Sequence, residues 1–323
     1  MVEPVLRPRE KPRLLSLVIP LFNEEEVFEE LQRRLVALMK TIESDVEVVL
    51  INDGSRDTTQ ARVEAWAAAD AHVKGICLAR NFGHQVAVTA GLEHVSGDAV
   101  VIMDADLQDP PEVIHQMLQR YQEGYDVVYG QRAERSGETL FKRATAFVFY
   151  RLMRLLIHPD LPADTGDFRL MSRQVVDALL QMEERHRFLR GMVAWLGFSQ
   201  TAVRYSRAGR AAGETKYNLR KMIGLAWNAS VSFSPAPLRV SLILGVFIAL
   251  FGAGYGVYSI LRAVFVQDTV PGWTTLVVLL CLIGGWILIS VGVLGEYVAK
   301  IFEEVKERPL YVVARKVNLG NQK

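Results

Sequence analysis

The chain contains very little cysteine, and its N-terminal end has no apolar run. Cys77 and Cys281 are the two cysteines among 323 residues, and they stand far apart in apolar surroundings. Such a pair provides neither a disulfide framework nor the spacing of a cysteine metal site, which favours a reducing compartment. Residues 1–13 are charged and contain proline without an apolar core, so they are not expected to form a signal peptide.

The chain also lacks an overall excess of charge of one sign, but its charges are unevenly distributed. The formal net charge is +1. Residues 14–131 contain 8 Lys and Arg against 20 Asp and Glu, whereas residues 132–221 contain 17 against 9. The basic second segment therefore suggests an anionic partner.

Apolar strands alternate with helices through the first 130 or so residues. The pattern predicts strands over residues 14–20, 46–51, 75–79, 98–103 and 126–129, with helices over 27–41, 57–71, 85–94 and 113–123. This alternation is typical of an α/β protein with a mostly parallel sheet. Ligands of such sheets bind at the carboxyl ends of the strands.

Polar groups follow four of these predicted strands. They are residues 20–24, Asp53 with Gly54, Arg80 with Asn81, and residues 104–108. Because the carboxyl ends of parallel strands meet at one edge of the sheet, these groups are expected to converge there. That edge is the predicted functional site.

Asp104 and Asp106 form an Asp-x-Asp pair at the end of the fourth strand. Residues two apart on an extended chain point the same way, so the two carboxylates can be presented together. Hard oxygen ligands of this kind suit a Mg²⁺ or Mn²⁺ ion that also binds phosphate oxygens. The alternative is a polar turn that caps a helix starting near Pro111, and the pair alone does not exclude it.

Residues 132–217 have a less regular pattern, and their interpretation stays open. Residues 141–157 are apolar on one face with basic residues interspersed, which suits either a helix at a membrane surface or a buried helix. Residues 204–217 carry Arg and Lys among Gly and Ala. Such a loop could bind phosphate or serve as a solvated linker.

Two long apolar runs are the clearest physical signal in the chain. Residues 240–261 and 269–295 contain no charged side chain. Each run reaches the roughly 20 residues needed to cross a bilayer, and the alternative is a buried helical hairpin. Their glycines fit close helix packing in lipid and favour self-association, which allows a homo-oligomer.

The charges that flank the two runs predict an orientation in the membrane. Residues 204–239 and 300–316 are rich in Lys and Arg, whereas the connector 262–272 carries one positive charge. By the positive-inside rule, both termini and the α/β domain are expected in the cytoplasm, with the connector on the far side of a membrane that the chain crosses twice. The expected membrane is the inner (plasma) membrane of the cell. The expected order is an N-terminal tail 1–13, an α/β domain 14–217, an interfacial amphipathic segment 218–236, spans 238–262 and 273–295, and a cytoplasmic tail 296–323.

Several motifs together resemble the family-2 glycosyltransferases of the GT-A fold. They are Val18-Ile-Pro-Leu-Phe-Asn-Glu24, Ile51-Asn-Asp-Gly-Ser-Arg-Asp57, Arg80-Asn-Phe-Gly-His-Gln85, Met103-Asp-Ala-Asp-Leu-Gln-Asp-Pro-Pro-Glu112 and Gly213-Glu-Thr-Lys-Tyr217. Within that family the chain resembles the polyisoprenyl-phosphate glycosyltransferases, and the spans ending in Gly292-Val-Leu-Gly-Glu-Tyr297 resemble bacterial bactoprenol glucosyltransferases. The resemblance covers nearly the whole chain and implies a Rossmann-like, mostly parallel GT-A domain followed by two C-terminal transmembrane helices.

The resemblance also implies roles for individual residues. Nucleotide binding would fall to Pro20, Phe22, Glu24 and Asp53, metal and diphosphate binding to Asp104, Asp106 and Gln108, and phosphate binding to Arg132, Arg210 and Lys216. The metal would be Mg²⁺ or Mn²⁺. Asp167 matches the family's candidate base, but an orienting or sugar-binding role stays open, because a lipid phosphate is already ionised near neutral pH.

The implied reaction is inverting transfer of a hexose, expected to be glucose from UDP-glucose, to undecaprenyl phosphate at the cytoplasmic membrane face. Its partners would be a nucleotide-sugar donor, a polyprenyl-phosphate acceptor and the membrane, with no nucleic acid. Alternatives are transfer of mannose or a modified arabinose to a polyprenyl phosphate, and a non-catalytic membrane-tethered GT-A scaffold. The presence of Asp104, Asp106 and Asp167 disfavours the scaffold. A processive polysaccharide synthase is disfavoured because the chain has no Gln-x-x-Arg-Trp motif.

Overall fold

The computed structural model describes residues 6–132, 165–206, 231, 234–265 and 272–319. These residues divide between two compact units. The first holds a sheet with its covering helices and includes the C-terminal segment from residue 308 onward, and the second holds a pair of long helices.

The first unit begins with four strands that alternate with helices. In chain order they are β1 (Leu14–Leu21), α1 (Phe28–Thr41), β2 (Asp45–Asn52), α2 (Thr59–Ala69), β3 (Val73–Leu78), α3 (His84–Leu92), β4 (Ala99–Ile102) and α4 (Ile114–Gln122). The predicted alternation is confirmed, with boundaries that shift by at most two residues for the strands. These strands form because their apolar residues are buried on both faces, as the central strands of a parallel sheet require.

Four further strands and two further helices complete the first unit. They are β5 (Val127–Arg132), β6 (Thr165–Ser172), α5 (Arg173–Leu180), α6 (Leu189–Trp195), β7 (Gln200–Tyr205) and β8 (Val313–Val317). Within the described residues the sheet has eight strands in the order β7-β5-β6-β4-β1-β2-β3-β8. Strands β6 and β8 run antiparallel to their neighbours, and the other pairings are parallel. The sheet is therefore mostly parallel, as predicted.

Buried apolar side chains cover both faces of the sheet. One cluster contains Leu17 and Ile19 of β1, packed with side chains of α1, α2 and α4. The other contains Val18 of the same strand, packed with side chains of α3, α5 and α6. Alternate strand residues thus face opposite helix layers, which is the packing that holds the strand ends in fixed positions at one edge.

The C-terminal strand β8 differs from the sequence interpretation, which places residues 296–323 in a cytoplasmic tail. Val313–Val317 pair antiparallel with β3 at an edge of the sheet. The Asn318 side-chain amide then donates to the carbonyl oxygens of Asp70, Ala71 and Val73 at 3.1, 3.0 and 2.8 Å. The middle residues of β8 are exposed, so burial contributes little to the stability of the strand. It forms because the edge of β3 offers backbone N–H and C=O groups with which it can pair.

The second unit contains α7 (Ala236–Phe265) and α8 (Trp273–Val305). Both helices are long and apolar enough to cross a membrane by length and composition, with mean hydropathy of 2.1 over Ala236–Tyr258 and 2.5 over Val278–Val305. Ser241 and Ser290 are hydrogen-bonded across the pair at 2.7 Å. Helix α8 extends ten residues beyond the predicted second span, which ends at residue 295.

Candidate functional site

The carboxyl ends of β1, β2, β3 and β4 lie at one edge of the sheet because these four strands are parallel. Glu24 follows β1, and the carboxylates that act on it electrostatically include Asp104 and Asp106 after β4 and Asp57 after β2. The predicted convergence of acidic groups at this edge is therefore present in the structure. We call this set, Glu24, Asp104 and Asp106, the carboxylate edge.

Negative charge accumulates at the carboxylate edge. Burial, followed by repulsion from Asp106 and Asp104, raises the pKa of Glu24 to about 7. Burial also raises the pKa of Asp104 to about 6, with Asp167, Asp109 and Asp106 adding repulsion that His84 partly offsets. Carboxyl groups with raised pKa values at the end of a sheet are typical of a functional site, and a bound cation would favour their ionised forms.

The loop that carries Asp104 and Asp106 has an unusual backbone. Leu107 lies in the left-handed region with φ 55°, where a non-glycine residue is uncommon. The turn brings the backbone N–H of Gln108 to 3.2 Å from Oδ1 of Asp106, and the Gln108 side chain is buried. A strained residue between two predicted metal ligands is the kind of feature that functional loops retain.

The donor set fits a divalent cation that also binds a substrate. Among the residues the structure describes, no group of three or more His, Cys, Asp and Glu side chains stands ready to enclose a metal ion. Mg²⁺ and similar hard cations are usually bound through one or two carboxylates together with substrate phosphates, which requires no such cage. Asp104 and Asp106, with their surplus negative charge, suit that mode.

The predicted nucleotide-binding residues have different surroundings. Pro20 is buried in β1 opposite Ile51, whereas Phe22 is 43% exposed. The Asp53 carboxylate is buried and accepts hydrogen bonds from the backbone N–H groups of Phe82 and Gly83 at 2.7 and 2.9 Å. Asp53 thus fixes the loop after β3, and its binding of a nucleotide stays a prediction.

Asp167 of β6 is buried beneath several donors. Its Oδ1 accepts from Nε of Arg190 at 2.7 Å, and its Oδ2 accepts from Nε2 of Gln85 at 3.0 Å and from Nη2 of Arg190 at 3.3 Å. The His84 Nε2 atom is 3.2 Å from Oδ2, and Arg169 Nη2 is 3.9 Å from Oδ1. Burial alone would raise the pKa of Asp167, but its contacts with His84 and Arg190 hold that pKa far below the usual range.

His84 connects Asp167 to the carboxylate edge. Its Nε2 atom, which contacts Asp167, also lies 3.6 Å from Oδ1 of Asp104. Burial would lower the pKa of His84, but the hydrogen bond to Asp167 and the charge of Asp104 raise it above the ordinary value. His84 and Gln85 belong to the motif Arg80–Gln85, which carried no role for either of them, and no sequence signal pointed to Arg190. Arg190 reaches the site from α6, more than twenty residues after Asp167, and its surrounding sequence carries no motif.

Three predicted phosphate-binding side chains lie outside the described residues. They are the side chain of Arg132, whose backbone ends β5, together with Arg210 and Lys216. The predicted surface helix over residues 141–157 and most of the predicted interfacial segment 218–236 also lie outside them. Their placement stays a prediction.

Comparison with known proteins gives two family matches. The family described as glycosyl transferase family 2 matches residues 16–180, and the family described as the GtrB C-terminal hairpin matches residues 236–301. The first match spans β1 to the end of α5 and includes the carboxylate edge and Asp167. The second spans the α7–α8 pair.

Individual relatives match along nearly the whole chain. An uncharacterized glycosyltransferase of Bacillus subtilis is 43% identical over 95% of both chains. The bactoprenol glucosyl transferase of Shigella phage SfII is 41% identical over 95% of this chain and 99% of that protein. A crystal structure of glucosyl-3-phosphoglycerate synthase from Mycobacterium tuberculosis, with 21% identity and a TM-score of 0.47, covers 68% of this chain and 77% of its own. That last likeness is too remote to carry an argument.

Proposed function

This chain belongs to glycosyl transferase family 2, and from that membership we propose that it transfers glucose from UDP-glucose to undecaprenyl phosphate. The observation that carries the proposal is the 41% identity to bactoprenol glucosyl transferases, which extends over both the sheet unit and the helix pair. The carboxylate edge supplies the chemistry that such a transfer needs. The helix pair supplies a route to a lipid acceptor.

The proposed site contains two sets of residues, one that would hold a metal ion and one that would hold the nucleotide. Asp104, Asp106 and Gln108 would hold a Mg²⁺ or Mn²⁺ ion, which when bound neutralises the negative charge of the leaving nucleoside diphosphate. Pro20, Phe22, Glu24 and Asp53, at the ends of β1 and β2, are proposed to hold the nucleotide. Because the site lies where the strands end, these groups converge on one bound donor.

The transfer itself forms one bond and breaks one bond. A phosphate oxygen of the acceptor attacks the anomeric carbon of glucose as the bond from that carbon to the diphosphate oxygen breaks, and the configuration inverts. A phosphate monoester is ionised near neutral pH, so no proton has to be removed before attack. The chain's own residues therefore have to position the two substrates and stabilise the departing charge.

The order of strands and helices supports a proposed membrane topology. Strand β7 precedes the helix pair in sequence and β8 follows it, yet both strands belong to one sheet. If the pair crosses a bilayer twice, the residues before α7 and after α8 emerge on the same side. Together with the basic flanks, this supports a two-span protein of the inner membrane with its catalytic domain and both termini in the cytoplasm.

A donor panel tests the proposed function. The full chain, purified in detergent, would be incubated with undecaprenyl phosphate and either UDP-glucose, GDP-mannose or another nucleotide sugar, with and without EDTA. Transfer from UDP-glucose that EDTA abolishes and Mn²⁺ restores is expected. Transfer from none of the donors would contradict the proposed activity, and transfer that EDTA leaves unchanged would contradict the metal role.

A matched set of variants tests the carboxylate edge. Asp104→Asn and Asp106→Asn are each expected to lower the rate by about a hundredfold or more, because a neutral amide weakens the cation site. Asp177→Asn, on an exposed carboxylate of α5 that pairs with Arg173 at 3.5 Å, serves as the control and should retain the wild-type rate. Equal activity of all three variants would remove the Asp-x-Asp pair from the mechanism.

A further inference from the structure

The second unit contains an open groove between α7 and α8. Phe247 and Phe251 of α7 and Leu282 and Trp286 of α8 line it, and the remaining lining residues are aliphatic or glycine. The groove encloses about 470 Å³, within the range of about 300 to 1,000 Å³ that is usual for ligand sites. Because no polar or charged side chain other than the Trp286 indole lines it, the ligand class that fits this groove is a hydrocarbon.

The space in the groove exists because side chains are missing at two positions. Gly252 of α7 and Gly285 of α8 both line it, and a Cβ atom on either would meet nothing within 4 Å. The Trp286 ring packs on α7 at a third glycine, since a Cβ atom on Gly245 would be 3.4 Å from Nε1 of Trp286. The two helices thus leave an apolar space that their own side chains do not fill.

The groove lies deep along the two helices. Phe247, its first lining residue in α7, comes eleven residues after Ala236, where α7 begins. At 1.5 Å per residue this distance is about 16 Å along the helix. In α8 the lining residues extend from Leu279 to Ile289, a length of about 15 Å. In the proposed topology α7 begins at the cytoplasmic face, so the groove lies within the hydrocarbon core of the bilayer.

We propose that this groove binds the polyprenyl tail of the lipid acceptor, at isoprene units well removed from the phosphate. The proposal rests on the proposed function, since it names a further binding site for the acceptor of that reaction. The phosphate of such a lipid stays at the headgroup level, so the units that reach the groove lie about 16 Å or more along the tail. Binding of a part of the substrate that does not react supplies energy for positioning the part that does.

The size of the groove favours a single hydrocarbon chain over a helix from a second copy of the protein. A helix with its side chains is about 10 Å across, so a 15 Å length of helix occupies roughly 1,200 Å³. That volume far exceeds the groove's volume of about 470 Å³. A polyprenyl tail is narrower than a helix and flexible, and it can follow the space between two helices.

Four glycine variants form matched pairs that test the groove. Gly252→Leu and Gly285→Leu place a side chain in the groove, whereas Gly254→Leu and Gly284→Leu add the same side chain to the same helices outside it. A Cβ atom at each of the four positions meets nothing within 4 Å. All four variants are therefore expected to fold, and thermal unfolding checks that they do.

Steady-state kinetics of the full chain in phosphatidylcholine liposomes compare a long acceptor with a short one. Gly252→Leu and Gly285→Leu are each expected to raise the KM for undecaprenyl phosphate about tenfold, because the leucine displaces apolar groups of the tail from the groove. The KM for geranyl phosphate, whose tail is too short to reach the groove, should stay unchanged. Gly254→Leu and Gly284→Leu should leave both constants unchanged.

Three outcomes of these measurements would overturn the proposal. The first is an unchanged KM for undecaprenyl phosphate in both groove variants. The second is an equal rise for the long and the short acceptor, which would trace the effect to the catalytic site. The third is a change of oligomeric mass in the groove variants alone, measured by native mass spectrometry, which would assign the groove to a second copy.

Photocrosslinking tests the groove without relying on activity. Undecaprenyl phosphate with a diazirine in the middle of its tail should label residues 247–252 and 279–289 of the wild type, and Gly285→Leu should reduce this labelling severalfold. Unlabelled undecaprenyl phosphate should compete even though phosphatidylcholine is in large excess. Labelling without such competition would assign the groove to ordinary bilayer lipid and overturn the proposal. A wild-type chain that is labelled as expected but transfers glucose to neither acceptor would refute the proposed function alone.

Discussion

Gly54 lies against the backbone of Arg80 so closely that a Cβ atom on Gly54 would be 2.4 Å from the Arg80 carbonyl carbon. Gly54 also has φ +67°, in the left-handed region. The neighbouring Asp53 carboxylate accepts from the backbone N–H groups of Phe82 and Gly83. The loops after β2 and β3 are therefore locked together at the edge of the sheet that carries the site.

Gly54→Ala is expected to lower the free energy of unfolding by roughly 2 to 4 kcal/mol, because a left-handed φ and a backbone clash act together. Gly197→Ala isolates the first effect, since Gly197 has φ +72° with nothing within 4 Å of its would-be Cβ. That control should lose only about 1 to 2 kcal/mol. Denaturant unfolding of both variants measures the difference, and equal losses would contradict the close packing of Gly54 on Arg80.

The raised pKa of Glu24 predicts a pH-dependent stability. Because burial and the nearby carboxylates raise that pKa from 4.5 to about 7, the folded protein holds a proton on Glu24 that the unfolded chain releases. The contribution of Glu24 to stability is present below pH 4.5 and is lost as pH rises through about 7. Glu24→Gln should therefore stabilise the metal-free protein at pH 8 and have little effect at pH 5. Unfolding in EDTA at both pH values checks this, and a pH-independent difference would argue against it.

Tyr205 is expected to support, through Asp109, the loop that carries the proposed metal ligands Asp104, Asp106 and Gln108. Its hydroxyl donates to Oδ1 of the buried Asp109, directly after Gln108. Tyr205→Phe keeps the edge-to-face contact with Phe168, with ring centroids 5.9 Å apart, and removes the hydroxyl that donates to Asp109. The expected loss of stability is about 1.5 to 3 kcal/mol, as for other hydrogen bonds to charged groups.

The Tyr205→Phe variant should also need a higher Mn²⁺ concentration for half-maximal transfer. Tyr311→Phe removes a hydroxyl that donates to the carboxylate of Glu93 in an exposed pair. As a control it should lose about 1 kcal/mol or less. Unchanged stability of the Tyr205→Phe protein would show that the hydrogen bond to Asp109 does not contribute to the free energy of unfolding.

Asn318 is expected to hold β8 on the edge of the sheet. Asn318→Gly keeps the left-handed backbone, which has φ 57°, but loses the three hydrogen bonds of the side-chain amide. We expect a loss of about 1 to 2 kcal/mol, and a further loss of about 1 kcal/mol for Asn318→Ala, which also strains φ. Amide hydrogen exchange over residues 73–79 reports whether the edge of β3 opens. Protection equal to the wild type in both variants would assign the attachment of β8 to other contacts.

Much of the first unit could be predicted because its strand patterns and helix patterns, each set by residues close together in the chain, indicate the same fold. The apolar runs of β1, β2 and β4 end in Glu24, Asp53 and Asp104, and each run is flanked by a helix pattern. Parallel pairing then places the strand ends together without further information. The carboxylate edge is therefore largely a consequence of strand periodicity and connection length.

Strand β8 and the cluster around Asp167 could not be predicted in this way. The five residues Val313–Val317 include Arg315 and Lys316 and have no clear strand alternation. Their pairing depends on the free edge of β3, more than two hundred residues earlier. Arg190 likewise contacts Asp167 because of how α6 packs. The spacing of the two residues in the sequence does not predict this contact.

The sequence alone determined the strand and helix alternation, the acidic groups at the strand ends and two helices of membrane-crossing length, because each depends on residues close together in the chain. The tertiary structure decided which carboxylate stays ionised beneath His84 and Arg190, which residues bridge Asp167 to Asp104, and where the C-terminal segment attaches. These features depend on burial and on side chains brought together from distant parts of the chain. Asp167 illustrates the difference: its residue type suggested a base, and its surroundings suppress its basicity.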